Sequence, residues 1–279
     1  MLKIGTCVYF ENVNTIEEQL RNLKANGFDN CQLLSWTPAV WTDENAALLN
    51  RLREKLGLTF SAFWCGWEGP KVWDLYEGPL TLGLVPPDYR VLRIKNLCDG
   101  ADFAHKLGIV DVVTHMGFIP ESPHDPLFAG FCIAVRQVAE HLKANGQYLL
   151  FETGQETPVA MLRCFETVGT GNLGVNLDTA NLILYGKANP ADALLVFGDY
   201  VRGLHAKDGK YPTNGHDLGT ETRIGDGAVD FPLVFKRLRE HHYDGYVTIE
   251  REISGEQQRQ DVEYARHYLQ AVINDTYGG

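Results

Sequence analysis

The 279-residue sequence has no CxxC pair. Its six cysteines, Cys7, Cys31, Cys65, Cys98, Cys132 and Cys164, are scattered. In a chain of this length they read as buried or free thiols in a reducing compartment. There is no apolar run near the ~20 residues that cross a bilayer, so no membrane association is expected. The opening Met1-Leu-Lys-Ile-Gly lacks the basic, apolar and cleavage regions of a secretion signal, which makes the cytoplasm the expected location. Positive charge is also scarce. There are 25 Lys and Arg against 36 Asp and Glu, a net charge of −11. Such a surface repels a phosphate backbone, so nucleic acid is not an expected partner. Acidic groups gathered at one place would instead attract a divalent cation. Repeats and low-complexity tracts are absent too.

What is present is alternation. Short apolar runs read as strands at Lys3 to Phe10, Asn30 to Trp36, Leu58 to Trp64, Val110 to Thr114, Tyr148 to Phe151, Leu173 to Leu177, Tyr200 to Leu204 and Tyr246 to Ile249. Helical spacing fills the gaps at Thr15 to Asn26, Asp43 to Leu56, Tyr89 to Leu107, Leu127 to Ala144, Pro158 to Val168, Pro190 to Phe197, Phe231 to His242 and Glu256 to Ile273. Several of these helices stop at Gly27, Gly57, Gly108 or Gly146, and Asp230 is placed to cap another. Eight β–α units predict a single (β/α)8 TIM barrel over residues 1–279, an α/β fold that typically takes roughly 250 residues. An open doubly wound sheet is the alternative; it would need a different strand order. Two connections are long, Cys65 to Asp88 and Gly209 to Asp230. Long loops in a compact domain are more often functional than idle.

Four successive strands end in side chains that can hold a metal: Glu152, Asp178, His205 and Glu250. In a parallel barrel the carboxyl ends of all strands open on one face, where active sites sit. A lone Glu at a strand end is usually a cap or a surface charge, and a lone His is usually a satisfied loop or core residue. Four in succession outweigh that reading. Glu252 competes with Glu250, since it has the same strand parity, but Glu250 directly follows the last apolar residue. Two Glu, one Asp and one His make an oxygen-rich site suited to one Mn²⁺, Mg²⁺ or Co²⁺; Zn²⁺ fits as well but is not singled out. Such a cation polarises a carbonyl and acidifies the neighbouring C–H, and carboxylates beside it can move the proton. Catalytic roles therefore fall to Glu152 and Glu250. Candidates for binding substrate are His115, Glu156, Asn181, Lys207, Arg223 and Trp67, each weighed against an ordinary structural role.

At these residues the chain resembles the xylose-isomerase-like barrels known as sugar phosphate isomerases/epimerases. The resemblance runs over essentially the full length. It is carried by Phe151-Glu-Thr-Gly-Gln-Glu156, Asn176-Leu-Asp-Thr-Ala-Asn-Leu182, His205-Ala-Lys-Asp208, Gly225-Asp-Gly-Ala-Val-Asp-Phe231 and Thr248-Ile-Glu250. It implies that Glu152, Asp178, His205 and Glu250 hold one divalent metal. It also implies that the two glutamates pass the proton and that Arg223 contacts the substrate. Ketose 3-epimerases of that family carry a His soon after the sixth-strand Asp; here Asn181 stands nearby instead. The expected activity is metal-dependent isomerisation or epimerisation of a sugar or sugar phosphate through an enediolate. A keto-polyol (inosose-type) dehydratase and a non-catalytic sugar-binding barrel are the alternatives. The expected partner is a small sugar or polyol, and the sequence is compatible with a homo-oligomer. Endonuclease IV shares the superfamily but needs more strand-end histidines, and strand three here ends in Trp64-Cys65-Gly66.

Overall fold

The computed structural model describes residues 2–278. Its strands are β1 (Lys3–Tyr9), β2 (Asn30–Ser35), β3 (Thr59–Cys65), β4 (Asp111–Thr114), β5 (Tyr148–Glu152), β6 (Leu173–Asp178), β7 (Val201–Ala206) and β8 (Tyr246–Ile249). All pair in parallel and close in the order β1-β8-β7-β6-β5-β4-β3-β2. The expected (β/α)8 barrel is therefore the fold. Its outer ring is α1 (Val13–Ala25), α2 (Asp43–Leu56), α3 (Pro87–Lys106), α4 (Pro126–Ala144), α5 (Pro158–Val168), α6 (Pro190–Phe197), α7 (Phe231–Glu240) and α8 (Glu256–Tyr277). No helix among the described residues is long and apolar enough to cross a membrane.

Local chemistry sets the helix ends. Proline stands in the first turn of α3, α4, α5, α6 and α7, where its missing N–H costs nothing. The side chains of Thr42, Asp125, Thr157, Asn189 and Asp230 accept first-turn N–H groups. Gly57 closes α2 in the left-handed region, at φ 62°, where a Cβ would be penalised.

Two apolar clusters hold the layers. The larger lies between sheet and helices. The smaller, Leu34, Ala62, Trp64, Val113 and Leu150, comes from alternate residues of β2 to β5 and fills one side of the barrel interior. The other side, from β5 to β8, carries Glu152, Asn176, Asp178, His205, Thr248 and Glu250, all buried. The barrel interior thus carries its apolar cluster on the β2 to β5 side and most of its polar groups on the β5 to β8 side, with Gln32 of β2 reaching across to His205.

The long connection after β3 is pinned by one buried cation. Arg93 of α3 donates to the carbonyls of Gly83 at 2.6 Å, Pro70 at 2.7 Å and Glu68 at 3.3 Å, and stacks 3.9 Å from the Trp67 ring. The same connection meets the segment after β4 at Gly83, where φ is +67° and a Cβ would lie 2.0 Å from the Met116 backbone. Replacing Arg93 by Met keeps the stem and leaves three carbonyls short of a donor. The expected loss is roughly 3 kcal/mol, read as a lower denaturation midpoint at unchanged m-value. Arg93→Lys should recover only part of it, because an ammonium cannot fork to three acceptors.

Candidate active site

Strand register brings the four strand-end residues together. Asp178 and His205 are direct partners across β6 and β7. Glu152 pairs with Asn176, two residues below Asp178. Thr248 pairs with His205, so Glu250 projects from the same side two residues further on. One ligand atom from each of Glu152, Asp178, His205 and Glu250 lies within 4.8 Å of the others, and all four are buried. Glu252, the rival of Glu250, stays outside the cluster with a half-exposed side chain.

The imidazole is oriented from below. Its Nε2 lies 2.7 Å from Gln32 Oε1, which can only accept, so Nε2 carries the proton and Nδ1 turns to the carboxylates. Nδ1 sits 3.3 Å from Glu152 Oε1, 3.3 Å from Glu250 Oε2 and 3.8 Å from Asp178 Oδ2, yet makes no well-formed hydrogen bond. Asp178 divides its labour. Oδ1 accepts the N–H groups of Ala180 and Asn181 at 2.8 and 2.7 Å, starting a short helix at Asn181–Leu184, while Oδ2 has no partner. Glu152 accepts the indole N–H of Trp64 and, at 3.3 Å, the amide of Asn181.

Burial works against the charge on His205, but Glu152 and Glu250 outweigh it and hold its pKa well above the usual imidazole range. Burial likewise opposes Glu250, yet Lys207 and His205 keep it well below the usual carboxylate range. For Asp178 burial wins, pushing it up to about 7 despite Lys207. Three buried acids thus share one ammonium and one imidazole. His205 Nδ1 and Asp178 Oδ2 lie 3.8 Å apart, and both are left without a hydrogen-bond partner. A divalent cation fits this donor set: it would supply the missing positive charge and a partner for both orphaned atoms.

The cluster opens into a cleft of about 260 Å³. One wall is aromatic, built by Tyr9, Trp36, Trp64 and Trp73; the other is polar, with Glu152, Asn181, Glu250 and Glu252. A groove of about 630 Å³ beside α1 and α8 is larger and shares Tyr9 and Glu250 with the cleft, but none of its lining residues carries a buried polar atom lacking a partner. The four-residue cluster borders the smaller cleft through Glu152 and Glu250. His115 lines it, with Nε2 3.7 Å from Glu152 Oε1. Asn181 lines it as well. Lys207 lies buried at its edge, 2.7 Å from Glu252 Oε2, 3.3 Å from Glu250 Oε2 and 3.4 Å from Asn181 Oδ1.

Three expected substrate contacts fall elsewhere. Trp67 is 1% exposed, packed under Arg93 and behind Trp36 and Trp73, so it supports the aromatic wall without facing the cleft. Arg223 points away, paired with Asp226 at 3.0 Å and stacked 4.1 Å from the Tyr264 ring. Glu156 is buried, takes the Gly154 N–H at 3.3 Å and is pushed up to about 8 by burial; it does not line the cleft.

Other residues emerge only in three dimensions. Gln32 sits inside an unbroken buried strand, and Trp73 lies on a loop whose aromatics look alike in sequence. Asp208 explains two of the motifs at once. Its carboxylate accepts the N–H groups of Gly209, Gly225, Gly227 and Val229 at 2.8 to 3.1 Å, and so ties the glycine-rich stretch to the end of β7.

A family model described as "Xylose isomerase-like TIM barrel" matches residues 20–271. A solved xylose isomerase domain protein from Planctomyces limnophilus superposes with a TM-score of 0.92 at 29% identity, covering 100% of this chain and 99% of that one. An L-ribulose 3-epimerase superposes at 0.76 with 19% identity, over 99% and 96% of the two chains. A xylose isomerase-like barrel from Mycobacterium smegmatis in complex with magnesium superposes at 0.71 with 18% identity, over 95% and 90%. Those last two likenesses are of fold alone. Among curated relatives, an inosose dehydratase of Lacticaseibacillus casei is 24% identical over 208 residues, 62% of this chain and 68% of the relative. A Methanocaldococcus jannaschii protein is 26% identical over 174 residues, and the match spans only 57% of its length.

The Gln32 contact generates a prediction. Gln32→Leu removes the acceptor that fixes the His205 tautomer and orientation. Mn²⁺ affinity, measured by titration calorimetry, should fall by roughly 10–100-fold, the usual worth of such an outer partner. The circular dichroism spectrum should be unchanged. Undiminished affinity would mean that Gln32 does not orient the imidazole.

Proposed function

The chain belongs to the xylose isomerase-like TIM barrel family, and from that premise we propose that it is a divalent-metal-dependent isomerase or epimerase of a sugar or sugar derivative. The observation that carries this is the convergence of Glu152, Asp178, His205 and Glu250, within 4.8 Å of one another, beside a cleft that Glu152 and Glu250 line together with Trp36, Trp64 and Trp73. These four residues would hold the metal. When bound, it would polarise the substrate carbonyl and make the adjacent C–H more acidic.

The chain's own side chains do the rest. Glu152 and Glu250 come from strands three places apart in the barrel, and both line the cleft. One carboxylate takes the proton from the carbon beside the carbonyl, and the carboxyl on the other side returns one to the opposite face. The Trp64 indole and the Asn181 amide fix Glu152 for this transfer, and Lys207 fixes Glu250. The Lys207 ammonium and His115 are placed to hold substrate oxygens at the rim of the cluster. The aromatic wall takes the C–H face of the sugar and keeps water away from the reacting carbon.

A second reading has a specific observation behind it. Inosose dehydratases, from Lacticaseibacillus casei and Clostridium botulinum, recur among the curated relatives. A dehydratase would begin with the same proton abstraction and then expel a β-hydroxyl as water. The two reactions part in D₂O. An isomerase or epimerase returns sugar labelled at the carbon next to the carbonyl, whereas a dehydratase releases a product lighter by one water.

Glu152→Gln and Glu250→Gln keep the side-chain size and remove the base. Each should lower kcat by roughly 10²–10⁴-fold, the usual contribution of a positioned acid or base. With two bases, each single variant should retain label exchange into substrate on one face while turnover stops. Product carrying no solvent label would favour a hydride shift and reduce both glutamates to ligands.

A further inference from the structure

The connections after β3 and after β7 leave strands four places apart in an eight-strand barrel, which are opposite sides of its mouth. They nevertheless meet. The Leu75 N–H donates to the His216 carbonyl at 2.8 Å, and the Tyr76 and His216 rings lie 5.1 Å apart. Both tips are shaped in advance. Asp74 Oδ1 accepts the N–H groups of Tyr76, Glu77 and Gly78 at 3.0, 2.7 and 2.9 Å. Asn214 Oδ1 accepts those of His216 and Asp217, both at 2.8 Å. The result is a span across the mouth, anchored on both banks.

The side chains flanking this junction, Trp73 and Leu218, both line the cleft. Both sit on segments tied to their surroundings. Trp73 packs on Trp36 at 6.1 Å, Trp67 at 6.4 Å and His115 at 5.3 Å between ring centres. Leu218 precedes Gly219, whose N–H donates to the Leu184 carbonyl at 2.8 Å. The space they leave, about 260 Å³, is smaller than the roughly 300–1,000 Å³ usual for small-molecule sites.

We propose that Trp73 and Leu218, held in place by the Leu75–His216 span, are specificity-determining residues that restrict the cleft to one polyhydroxyl unit of monosaccharide size and turn away a unit carrying a second sugar. The proposal rests on the reading of the site as a sugar site. Its physical basis is exclusion: discrimination comes from a ceiling that a larger ligand would have to displace, at the cost of the span's hydrogen bond and ring contact.

The test compares glucitol with maltitol, which is glucitol bearing one glucosyl group, by titration calorimetry on the Mn²⁺-loaded protein. The wild type should bind glucitol at least about tenfold more tightly than maltitol. In Tyr76→Ala/His216→Ala, whose altered side chains do not line the cleft, maltitol should gain about tenfold while glucitol stays within about threefold. Leu218→Ala should also admit maltitol. A thermal midpoint for each variant checks that the barrel is intact. Equal affinity of the wild type for both polyols overturns the size limit and leaves the sugar site standing. Maltitol still turned away by the folded double variant assigns exclusion to other walls and overturns the proposal. No binding of glucitol to the wild type overturns the sugar-site reading, and the size limit with it.

Discussion

Three carboxylates buried around one imidazole nitrogen set the terms for this molecule. Charges taken out of water are tolerated only where partners replace the lost hydration. Here Glu152, Asp178 and Glu250 are buried within reach of His205 Nδ1. The surroundings answer that demand piece by piece. Gln32 steers the imidazole, the Trp64 indole and Asn181 hold Glu152, the Ala180 and Asn181 N–H groups hold one oxygen of Asp178, and Lys207 stands beside Glu250. The partners still leave His205 Nδ1 and Asp178 Oδ2 without a hydrogen bond, and the four side chains together could hold a metal ion.

The barrel interior follows from the same demand. A parallel barrel packed all round with Leu and Val would bury such a cluster at a prohibitive desolvation cost. This chain instead confines its inner apolar cluster to β2 to β5 and gives the β5 to β8 side to polar groups. The aromatic residues at the top of the apolar half then become one wall of the cleft. Stability and chemistry are divided along the strands as well as around them. Side chains such as Arg93 and Asp208 spend their hydrogen bonds on loop backbone, so the loops above the strand ends keep fixed shapes without drawing on the groups of the site.

Much of this was legible in the sequence, and the illegible parts have physical reasons. Strand and helix periods, proline at helix starts and glycine at helix ends identify the barrel, because each is a local property. Glu152, Asp178, His205 and Glu250 could be singled out because each interrupts an apolar run at a place where no strand face needs a charge. Gln32 could not, because it sits in the middle of such a run and its role depends on a residue 173 positions away. Trp67 and Trp73 are indistinguishable by composition, and only packing under Arg93 tells the supporting ring from the facing one. Arg223 shows the same limit, since its partners, Asp226 and Tyr264, lie outside the cleft. Glu250 and Glu252 share a strand parity; register with His205 separates them.

Of the five tryptophans, Trp36, Trp64, Trp67 and Trp73 form one connected cluster, with Trp36 at 4.7 to 6.1 Å from each of the other three. The four rings thus form one continuous aromatic layer. Three of its four members border the cleft, and the Trp64 N–H is bonded to Glu152. Four of the five ultraviolet-absorbing indoles therefore sit in or directly behind the wall of the candidate active site. A change of charge on Glu152 is thereby felt first by an indole, through the Trp64 N–H.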